Sequence, residues 1–399
     1  MQGIQANARL FASQAFHYQA LRTLGHSAAF GASPGECLRA IGSIRNADPE
    51  LWYEAWHELG RKCEKMAAAS NDTMGRGRAL LRASNYYRTS EFFLDPADSR
   101  RLSTYRESAN AFTRALQVLS IPHKIWKIPY ERASMRAYYF PGEEAKPVIL
   151  VCGGYDSTNE ESFFWIASAA RERGYPCVMF EGPGQSNLIR EYGMKFTPAW
   201  EKPVATLLDH MQWEEPSLTP RRKILLGISM GAMLALRAAA FEKRIDAAAG
   251  WGGFFNMRDA ASAQIPALGR LLFRIGSEGL FNRLALLKAS GDIGMRWALN
   301  NGCWTIGADT PFDLLAKTGA YGLEEAAQKI ACDVLIVSGD RDHLIPKGEP
   351  SKFRHHLKGA RSFHEHTFTA EDGAGEHCQA GALEQFHQVF FEWVQGLPR

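Results

Sequence analysis

Short apolar runs alternate with helix-forming segments from about residue 145 to the end of the chain. The pattern predicts strands at residues 146–152, 175–180, 223–228, 245–250, 333–337 and 362–368, with helical stretches between most of them. Such alternation is typical of an α/β fold, with a mostly parallel sheet and helices on both of its faces. A β-hairpin of residues 123–129 and 136–140 is expected to open this sheet.

Two segments fall outside the alternation. Residues 1–118 carry apolar and aromatic residues at three-to-four spacing, which predicts a helical N-terminal domain. Residues 254–328 mix helical patterns with Gly and Pro, and we interpret them as a lid inserted at the carboxyl ends of the strands. The predicted division is therefore a helical domain at 1–118, a core at 119–253, a lid at 254–328 and a second core segment at 329–399.

Composition and charge narrow the class of protein. The formal net charge of +3 comes from 46 basic and 43 acidic residues that are interspersed, so we predict a small-molecule substrate and no nucleic-acid partner. Seven scattered cysteines without CxxC spacing argue against a disulfide framework and a zinc cluster, and we predict neither metal nor cofactor.

The N-terminal stretch lacks a signal-peptide pattern and no segment is long and apolar enough to span a membrane, so the expected location is cytoplasmic. The aromatic helices of the N-terminal domain could bury against the lid or form a homodimer face, and the sequence leaves both open.

The sequence GISMG at residues 227–231 joins a predicted strand to a predicted helix. A serine at such a turn is held in a strained conformation that exposes its hydroxyl, and Gly227 and Gly231 leave room for the passing helix. The helix N-terminus also directs backbone N–H groups toward a developing oxyanion. We therefore predict Ser229 as a nucleophile and the Met230 N–H as one oxyanion donor.

A serine nucleophile needs a histidine base, and the base needs a carboxylate that orients it. GDRDHLIP at residues 339–346 follows a buried strand, and we favour Asp342 over Asp340 because it lies farther into the loop. Of the histidines that follow, His377 stands in a Gly-rich loop between the last strand and the last helix, from which an imidazole can reach the nucleophile. The others fall beside the acid, on a strand or in helices: His343, His355, His356, His364, His366 and His387.

The loop after the predicted strand at 146–152 reads GGYDS. Its two glycines allow a close backbone approach, so the Tyr155 N–H is the expected second oxyanion donor. Asp156 follows directly, and it is either an acid that donates a proton during the reaction or a cap for a following helix. FEGPGQS at residues 180–186 is a further Gly-containing loop, which we interpret as structural, shaping the floor of the cavity.

Together GGYDS, FEGPGQS, GISMG, GDRDHLIP and GAGEHCQ, with the helical N-terminal domain, resemble the α/β-hydrolase family that includes 2,6-dihydroxypseudooxynicotine hydrolase. They are similar also to the fungal polyketide chain-shortening hydrolases of melanin-type pigment pathways, and more distantly to bacterial fermentation-respiration switch proteins. The resemblance spans nearly the whole chain and is strongest from about residue 145 onward. It implies an α/β-hydrolase fold with a helical lid.

The resemblance further implies hydrolysis of a carbon–carbon bond beside a ketone, in an aromatic or polyketide-type secondary metabolite, with Ser229, Asp342 and His377 as the triad. In that branch an acid at the position of Asp156 assists the cleavage. The nicotine-pathway enzyme has glutamate there, so the reach and role of Asp156 can differ.

The same triad catalyses other acyl-transfer reactions, because the identity of the three residues does not specify which bond of the substrate is cleaved. An esterase, lactonase or thioesterase and an acyltransferase therefore remain alternatives, on an aryl ester or a similar substrate. A non-catalytic binding or regulatory protein with this fold is the third. Ser, Asp and His in the required order favour an enzyme over that last class.

Overall fold

The computed structural model describes residues 9–398. The predicted N-terminal domain, and the N-terminal stretch that lacks a signal-peptide pattern, begin with residues 1–8, which lie outside the described residues. The second predicted core segment ends at residue 399, which lies outside them too. Within the described range the chain divides into two compact units, one of residues 9–122, 163–165 and 380–384, and one of residues 123–162, 166–379 and 385–398.

The first unit is helical, and this prediction for the N-terminal region is confirmed. Its helices are α1 (Gln14–Gly25), α2 (Pro34–Ser43), α3 (Pro49–Ala69), α4 (Thr73–Ser90) and α5 (Arg100–Val118). The first turn of α3 is capped by the Asp48 carboxylate, which accepts two backbone N–H groups, and Pro49 needs no partner at the first position. Trp52 and Trp56 are fully buried, and the Trp52 indole donates to the Thr89 carbonyl at 2.7 Å, so these aromatic side chains belong to a core.

Within the described residues of the second unit, eight strands form one sheet in the order β1-β2-β4-β3-β5-β6-β7-β8. Their bounds are β1 (Lys124–Tyr130), β2 (Ala133–Phe140), β3 (Val148–Cys152), β4 (Cys177–Phe180), β5 (Lys223–Ile228), β6 (Ala247–Trp251), β7 (Asp333–Gly339) and β8 (Ser362–Phe368). β1 and β2 form the predicted hairpin and pair antiparallel, as do β2 and β4, while every pair from β4 through β3 to β8 is parallel. The predicted mostly parallel sheet is therefore confirmed.

The central strands are apolar because neither face of the sheet reaches water. All residues of β3, β5 and β6 are buried, so these strands are continuous apolar runs without alternation. Outside residues 254–328, the helices between and after the strands are α6 (Ser168–Glu172), α7 (Ser186–Tyr192), α8 (Glu201–Glu214), α9 (Met230–Phe241), α15 (Glu349–His356) and α16 (Leu383–Gly396). α9 follows β5 directly, and its Ala, Leu and Met residues favour a helix packed on the sheet.

The segment that we interpret as a lid, residues 254–328, is helical along most of its length. It holds α10 (Met257–Ala263), α11 (Ala267–Arg274), α12 (Glu278–Gly291), α13 (Ile293–Gly302) and α14 (Pro311–Lys317). Side-chain caps start several of these helices, among them Asp292, which accepts the Met295 N–H at 3.1 Å at the start of α13. Leu272, Phe281 and Leu315 form a small apolar core of their own.

The parallel strands bring four loops to one edge of the sheet. The loops after β3, β5, β7 and β8 all leave from carboxyl ends, and these strands lie within five consecutive positions of the sheet order. The motifs GGYDS, GISMG, GDRDHLIP and GAGEHCQ lie in or directly beside these four loops. Residues about 150 positions apart along the chain can therefore meet there. No helix among residues 9–398 combines the length and apolar character needed to cross a lipid bilayer.

Candidate active site

Ser229 lies at the sharp turn between β5 and α9. Its backbone angles, φ 59° and ψ −125°, are unfavourable for a residue with a side chain, and the strain is held because the Ser229 N–H donates to the Trp251 carbonyl at 2.7 Å. A Cβ atom at Gly227 would lie 1.9 Å from the Gly231 carbonyl oxygen, and one at Gly231 would lie 2.4 Å from the Gly153 carbonyl oxygen. Only glycine therefore fits on either side of this turn.

The structure brings Ser229, His377 and Asp342 together. His377 Nε2 lies 2.9 Å from Ser229 Oγ, and His377 Nδ1 lies 2.6 Å from Asp342 Oδ2. The side chains of His377 and Asp342 are only 4% and 3% exposed. When Nδ1 carries the proton it donates to Asp342, and Nε2 can then accept the proton of the Ser229 hydroxyl.

Asp342 is fixed by its own loop as well as by the histidine. Its Oδ1 atom accepts the backbone N–H groups of Leu344 at 2.8 Å and Ile345 at 2.9 Å, which leaves Oδ2 for the imidazole. Asp340, the alternative acid, packs against Gly375 instead. A Cβ atom placed on Gly375 would lie only 2.5 Å from Asp340 Oδ1. The structure thus joins Asp342, rather than Asp340, to His377.

Trp251, at the end of β6, links the serine turn to the histidine loop. Its carbonyl accepts the Ser229 N–H, as noted above, and also the Cys378 thiol at 3.4 Å. Its indole N–H donates to Gln379 Oε1 at 2.6 Å, and Gln379 Nε2 donates to the Ala374 carbonyl at 3.2 Å. The turn that carries Ser229 and the loop that carries His377 are therefore both hydrogen-bonded to Trp251.

Sequence reasoning did not identify this role of Trp251 and Gln379. Gln379 lies two residues after the predicted base and is completely buried, with φ 49°. A buried polar residue beside a candidate base is a signal that it orders the loop, but nothing in the sequence pairs it with a tryptophan 128 positions away.

Opposing effects act on the pKa of His377. Burial of the imidazole lowers its pKa, but the negative charge of Asp342 and the hydrogen bond to it raise the pKa, and the net pKa lies well above the ordinary value of 6.5. Asp342 thus stabilises the imidazolium that forms when the histidine takes a proton. A histidine of this kind is a stronger base than an isolated imidazole.

For His377 as the predicted base, the raised pKa predicts how catalysis depends on pH. A base must be neutral, and a raised pKa moves the neutral form to higher pH, so kcat/KM should rise with pH through an apparent pKa above 6.5. In Asp342→Asn the effect of burial remains while the negative charge is gone, so this rise should move to lower pH. The measurement is kcat/KM from about pH 5 to about pH 10 for both proteins. A wild-type rise centred at or below 6.5, or no shift in the variant, would contradict this account.

The backbone segments that carry the two predicted oxyanion donors both lie at the serine turn. Met230 is the first residue of α9, so its N–H has no acceptor within the helix. On the other side, a Cβ at Gly154 would lie 2.9 Å from Ser229 Cβ and 3.1 Å from Met230 N, so the loop after β3 passes directly over the serine turn. Tyr155, the other predicted donor, follows Gly154 in that loop.

Tyr155 is also held by α13. Its hydroxyl donates to the Ala298 carbonyl at 3.0 Å, and its own carbonyl accepts from Asn301 Nδ2 at 3.2 Å. The Trp297 ring meets the Tyr155 ring edge-on, with centroids 6.0 Å apart. A helix of the predicted lid segment, α13, therefore contacts the residue that carries a predicted oxyanion donor.

Asp156 lies half-buried in the bend after Tyr155. Helical backbone begins only at residue 161, five positions later, so Asp156 is not the residue that precedes a helix. Its predicted role as an acid stays a prediction. Among residues 9–398, no group of three or more His, Cys, Asp or Glu side chains is arranged to hold a metal ion.

Comparison with known proteins identifies the family. Residues 148–389 match the model of the alpha/beta hydrolase family. The 20-hydroxy-prefusarin hydrolase of Gibberella moniliformis is 32% identical over 97% of both chains, and a hydrolase of a Fusarium species is 31% identical over 97% of both.

A solved structure shows the same fold. The crystal structure of 2,6-dihydroxy-pseudo-oxynicotine hydrolase aligns with a TM-score of 0.72 at 21% identity, over 93% of this chain and 94% of that one. The fold class and the resemblance that the sequence motifs indicate are both confirmed. The chain therefore belongs to the α/β hydrolase family of enzymes.

Proposed function

We propose that this protein is a serine hydrolase in which Ser229 is the nucleophile, His377 the general base and Asp342 the residue that orients the base. The observation that carries the proposal is the pair of contacts made by His377, 2.9 Å to Ser229 Oγ and 2.6 Å to Asp342 Oδ2. The strained backbone of Ser229 supports it, because such strain persists where a side chain must be presented for function.

The chemistry follows from the positions of the donors and acceptors. His377 takes the hydroxyl proton as Ser229 Oγ bonds to a substrate carbonyl carbon, and the N–H groups of Met230 and Tyr155 stabilise the oxygen that becomes negative. The tetrahedral intermediate then expels its leaving group, which receives a proton from the His377 imidazolium. Water, activated by the same histidine, releases the acyl group from Ser229 as a carboxylic acid.

For the bond that breaks, we propose a carbon–carbon bond next to a ketone. The leaving group is then a carbanion, and the proton that it takes up comes from the His377 imidazolium, either directly or passed on through the Asp156 carboxylate, so that the histidine is neutral again when water attacks. The resemblance to the polyketide chain-shortening hydrolases supports this choice, as does an acid directly after the predicted oxyanion donor. Carbanions leave only when a neighbouring group withdraws electrons, so a phenolic or conjugated fragment is required.

An aromatic or conjugated polyketide-type small molecule is the substrate class that we propose. The rings of Tyr155 and Trp297 lie next to each other beside the predicted oxyanion loop, and such rings favour flat, unsaturated ligands. The relatives support a small molecule as well: the name of the Gibberella moniliformis protein states that it hydrolyses 20-hydroxy-prefusarin.

The experiment that tests the proposal combines labelling with product analysis. Wild type and Ser229→Ala are exposed to a fluorophosphonate and examined by intact-protein mass spectrometry, and are then incubated with matched aryl ketones and aryl esters. We expect one adduct on the wild type, none on Ser229→Ala, and a carboxylic acid product from a ketone. Ester turnover without ketone turnover would replace the carbon–carbon assignment by an esterase, and no adduct at all would contradict a serine hydrolase.

Replacing Asp156 by Asn separates the proposed acid from a structural residue. Asn keeps the shape of the side chain but cannot deliver a proton, and a positioned acid is worth about 100-fold to 10,000-fold in rate. We expect kcat for ketone cleavage to fall by about 100-fold or more while kcat for an aryl ester, whose phenolate leaves unaided, changes little. Equal losses for both substrates would mean that Asp156 acts on the geometry of the site instead. Asp209→Asn, on α8, is the control, because it changes a carboxylate that is 70% exposed and pairs with Arg244.

A further inference from the structure

The loop of residues 180–186, interpreted from sequence as the cavity floor, sends a side chain to the oxyanion loop. Gln185 immediately precedes α7 but makes no capping bond to that helix, and it is only 3% exposed. Its Oε1 atom accepts the Gly182 N–H at 3.1 Å. Its Nε2 atom donates to the carbonyl oxygens of Gly153 at 2.5 Å and Gly154 at 3.2 Å.

The bond to Gly154 has a consequence for Tyr155, because the two share a peptide unit. The Gly154 carbonyl and the Tyr155 N–H belong to one planar trans peptide, in which the C=O and the N–H point in opposite directions. Holding the carbonyl toward Gln185 therefore directs the N–H away from Gln185. The direction of the predicted oxyanion donor is thus set through the Gln185 amide.

The glycines of this loop make the peptide easy to turn, so an external restraint is needed. Gly153 and Gly154 lack the side chains that limit backbone rotation in other residues. The Gly154 N–H is held by Ser157 Oγ at 2.7 Å, on the amino side of that residue. Gln185 restrains the next peptide, the one that carries the Tyr155 N–H, and the close packing of Gly154 on Ser229 and Met230 keeps that peptide at the serine turn.

We infer that Gln185 is a positioning residue for the oxyanion hole: its amide holds the Gly153 and Gly154 carbonyls so that the Tyr155 N–H points at the reacting oxygen. This inference rests on the proposed function, since it assumes that Ser229 attacks a carbonyl. It assigns no contact between Gln185 and the substrate. Gln185 acts on the intermediate through the backbone of the neighbouring loop.

Two substitutions distinguish the bond that Gln185 accepts from Gly182 from the two bonds that it donates to Gly153 and Gly154. In Gln185→Glu a carboxylate can still accept the Gly182 N–H, but it cannot donate to the Gly153 and Gly154 carbonyls. Gln185→Met keeps the approximate volume and loses all three bonds. Gln388→Met is the matched control, because it removes an exposed glutamine amide that donates to Glu392, one turn along α16.

The readouts are the kinetics of an aryl ester and the affinity of an aryl trifluoromethyl ketone, which forms a negatively charged adduct with a nucleophilic serine. We expect kcat/KM and the trifluoromethyl ketone affinity to fall together, by about 10-fold to 100-fold, in both Gln185 variants, because losing a whole oxyanion donor costs about 100-fold to 1,000-fold. KM and the affinity for the carboxylic acid product should stay the same. Gln388→Met should behave as wild type.

The pH dependence of Gln185→Glu adds a readout that a purely structural role would not move. At low pH the new carboxyl is protonated and can again donate one bond, so the activity relative to wild type should rise as the pH falls. Unchanged trifluoromethyl ketone affinity in folded Gln185→Glu would overturn the inference. Failure of the proposed function would look different, because the wild type itself would then form no Ser229 adduct.

Discussion

Ser229→Ala is expected to fold like the wild type and to lose about four to six orders of magnitude in kcat. The methyl group cannot form the covalent intermediate, while the contact of the backbone N–H with the Trp251 carbonyl does not depend on the side chain. His377→Ala should cost a similar factor, because without the imidazole the serine hydroxyl keeps its proton. The measurement is kcat with the best substrate of the labelling experiment, alongside the melting temperature.

The two substitutions act on one catalytic unit, so their effects should not add. The double variant should be about as slow as either single variant, since the base has no task once the nucleophile is gone. Ser290→Ala and His364→Ala are controls on exposed positions and should keep wild-type activity. Activity within about tenfold of wild type in either Ser229→Ala or His377→Ala would refute the proposed nucleophile or base.

Asp342→Asn is expected to lower kcat by about 10,000-fold. The amide oxygen can still accept the N–H groups of Leu344 and Ile345, so the loop keeps its shape. The amide NH₂ then faces His377 Nδ1, which must accept rather than donate, and the proton of the neutral ring moves to Nε2. In that tautomer the imidazole cannot take the proton of Ser229. The loss should appear in kcat with little change in KM.

The matching variant of the alternative acid gives the control. Asp340→Asn changes the neighbouring carboxylate on the same loop. The ring nitrogens of His377 bond to Asp342 and Ser229, not to Asp340. We expect its kcat to stay within about tenfold of wild type. A larger loss in Asp340→Asn than in Asp342→Asn would reverse the choice between the two acids.

The positions of the strands and the turn at Ser229 were predictable because each depends on a short stretch of sequence. The predicted strand at 223–228 coincides with β5, and the predicted strand at 362–368 coincides with β8. For β5 the reason is direct, because a continuous apolar run reflects burial on both faces of the sheet. GISMG likewise predicts a turn that only glycine can flank, and the observed φ of 59° at Ser229 agrees with it. The roles of Ser229, Asp342 and His377 stay predictions until the variants are measured.

Other parts of the molecule were less accessible to sequence reasoning. The stretch after Asp156 becomes helical only at residue 161 and includes a π-helical turn at Phe163–Ala167, which the residue pattern did not indicate. The loop at 180–186 was recognised as a Gly-containing loop, but its contact with Gly153 and Gly154 was not. Helix bounds and long-range contacts depend on packing, for which a single sequence carries a weaker signal.

By itself, the sequence determined the alternation of strands and helices and the sharp turn at Ser229. It also placed a candidate nucleophile, acid and base in the chain order Ser, Asp, His that α/β hydrolases use. These features follow from burial, glycine geometry and chain order, all of which are local or sequential. Only the tertiary structure decided which carboxylate meets His377, that Trp251 fastens the serine and histidine loops, and that Gln185 holds the oxyanion loop. Those contacts join positions between 22 and 128 residues apart, and they exist because parallel strands place their carboxyl ends at one edge of the sheet.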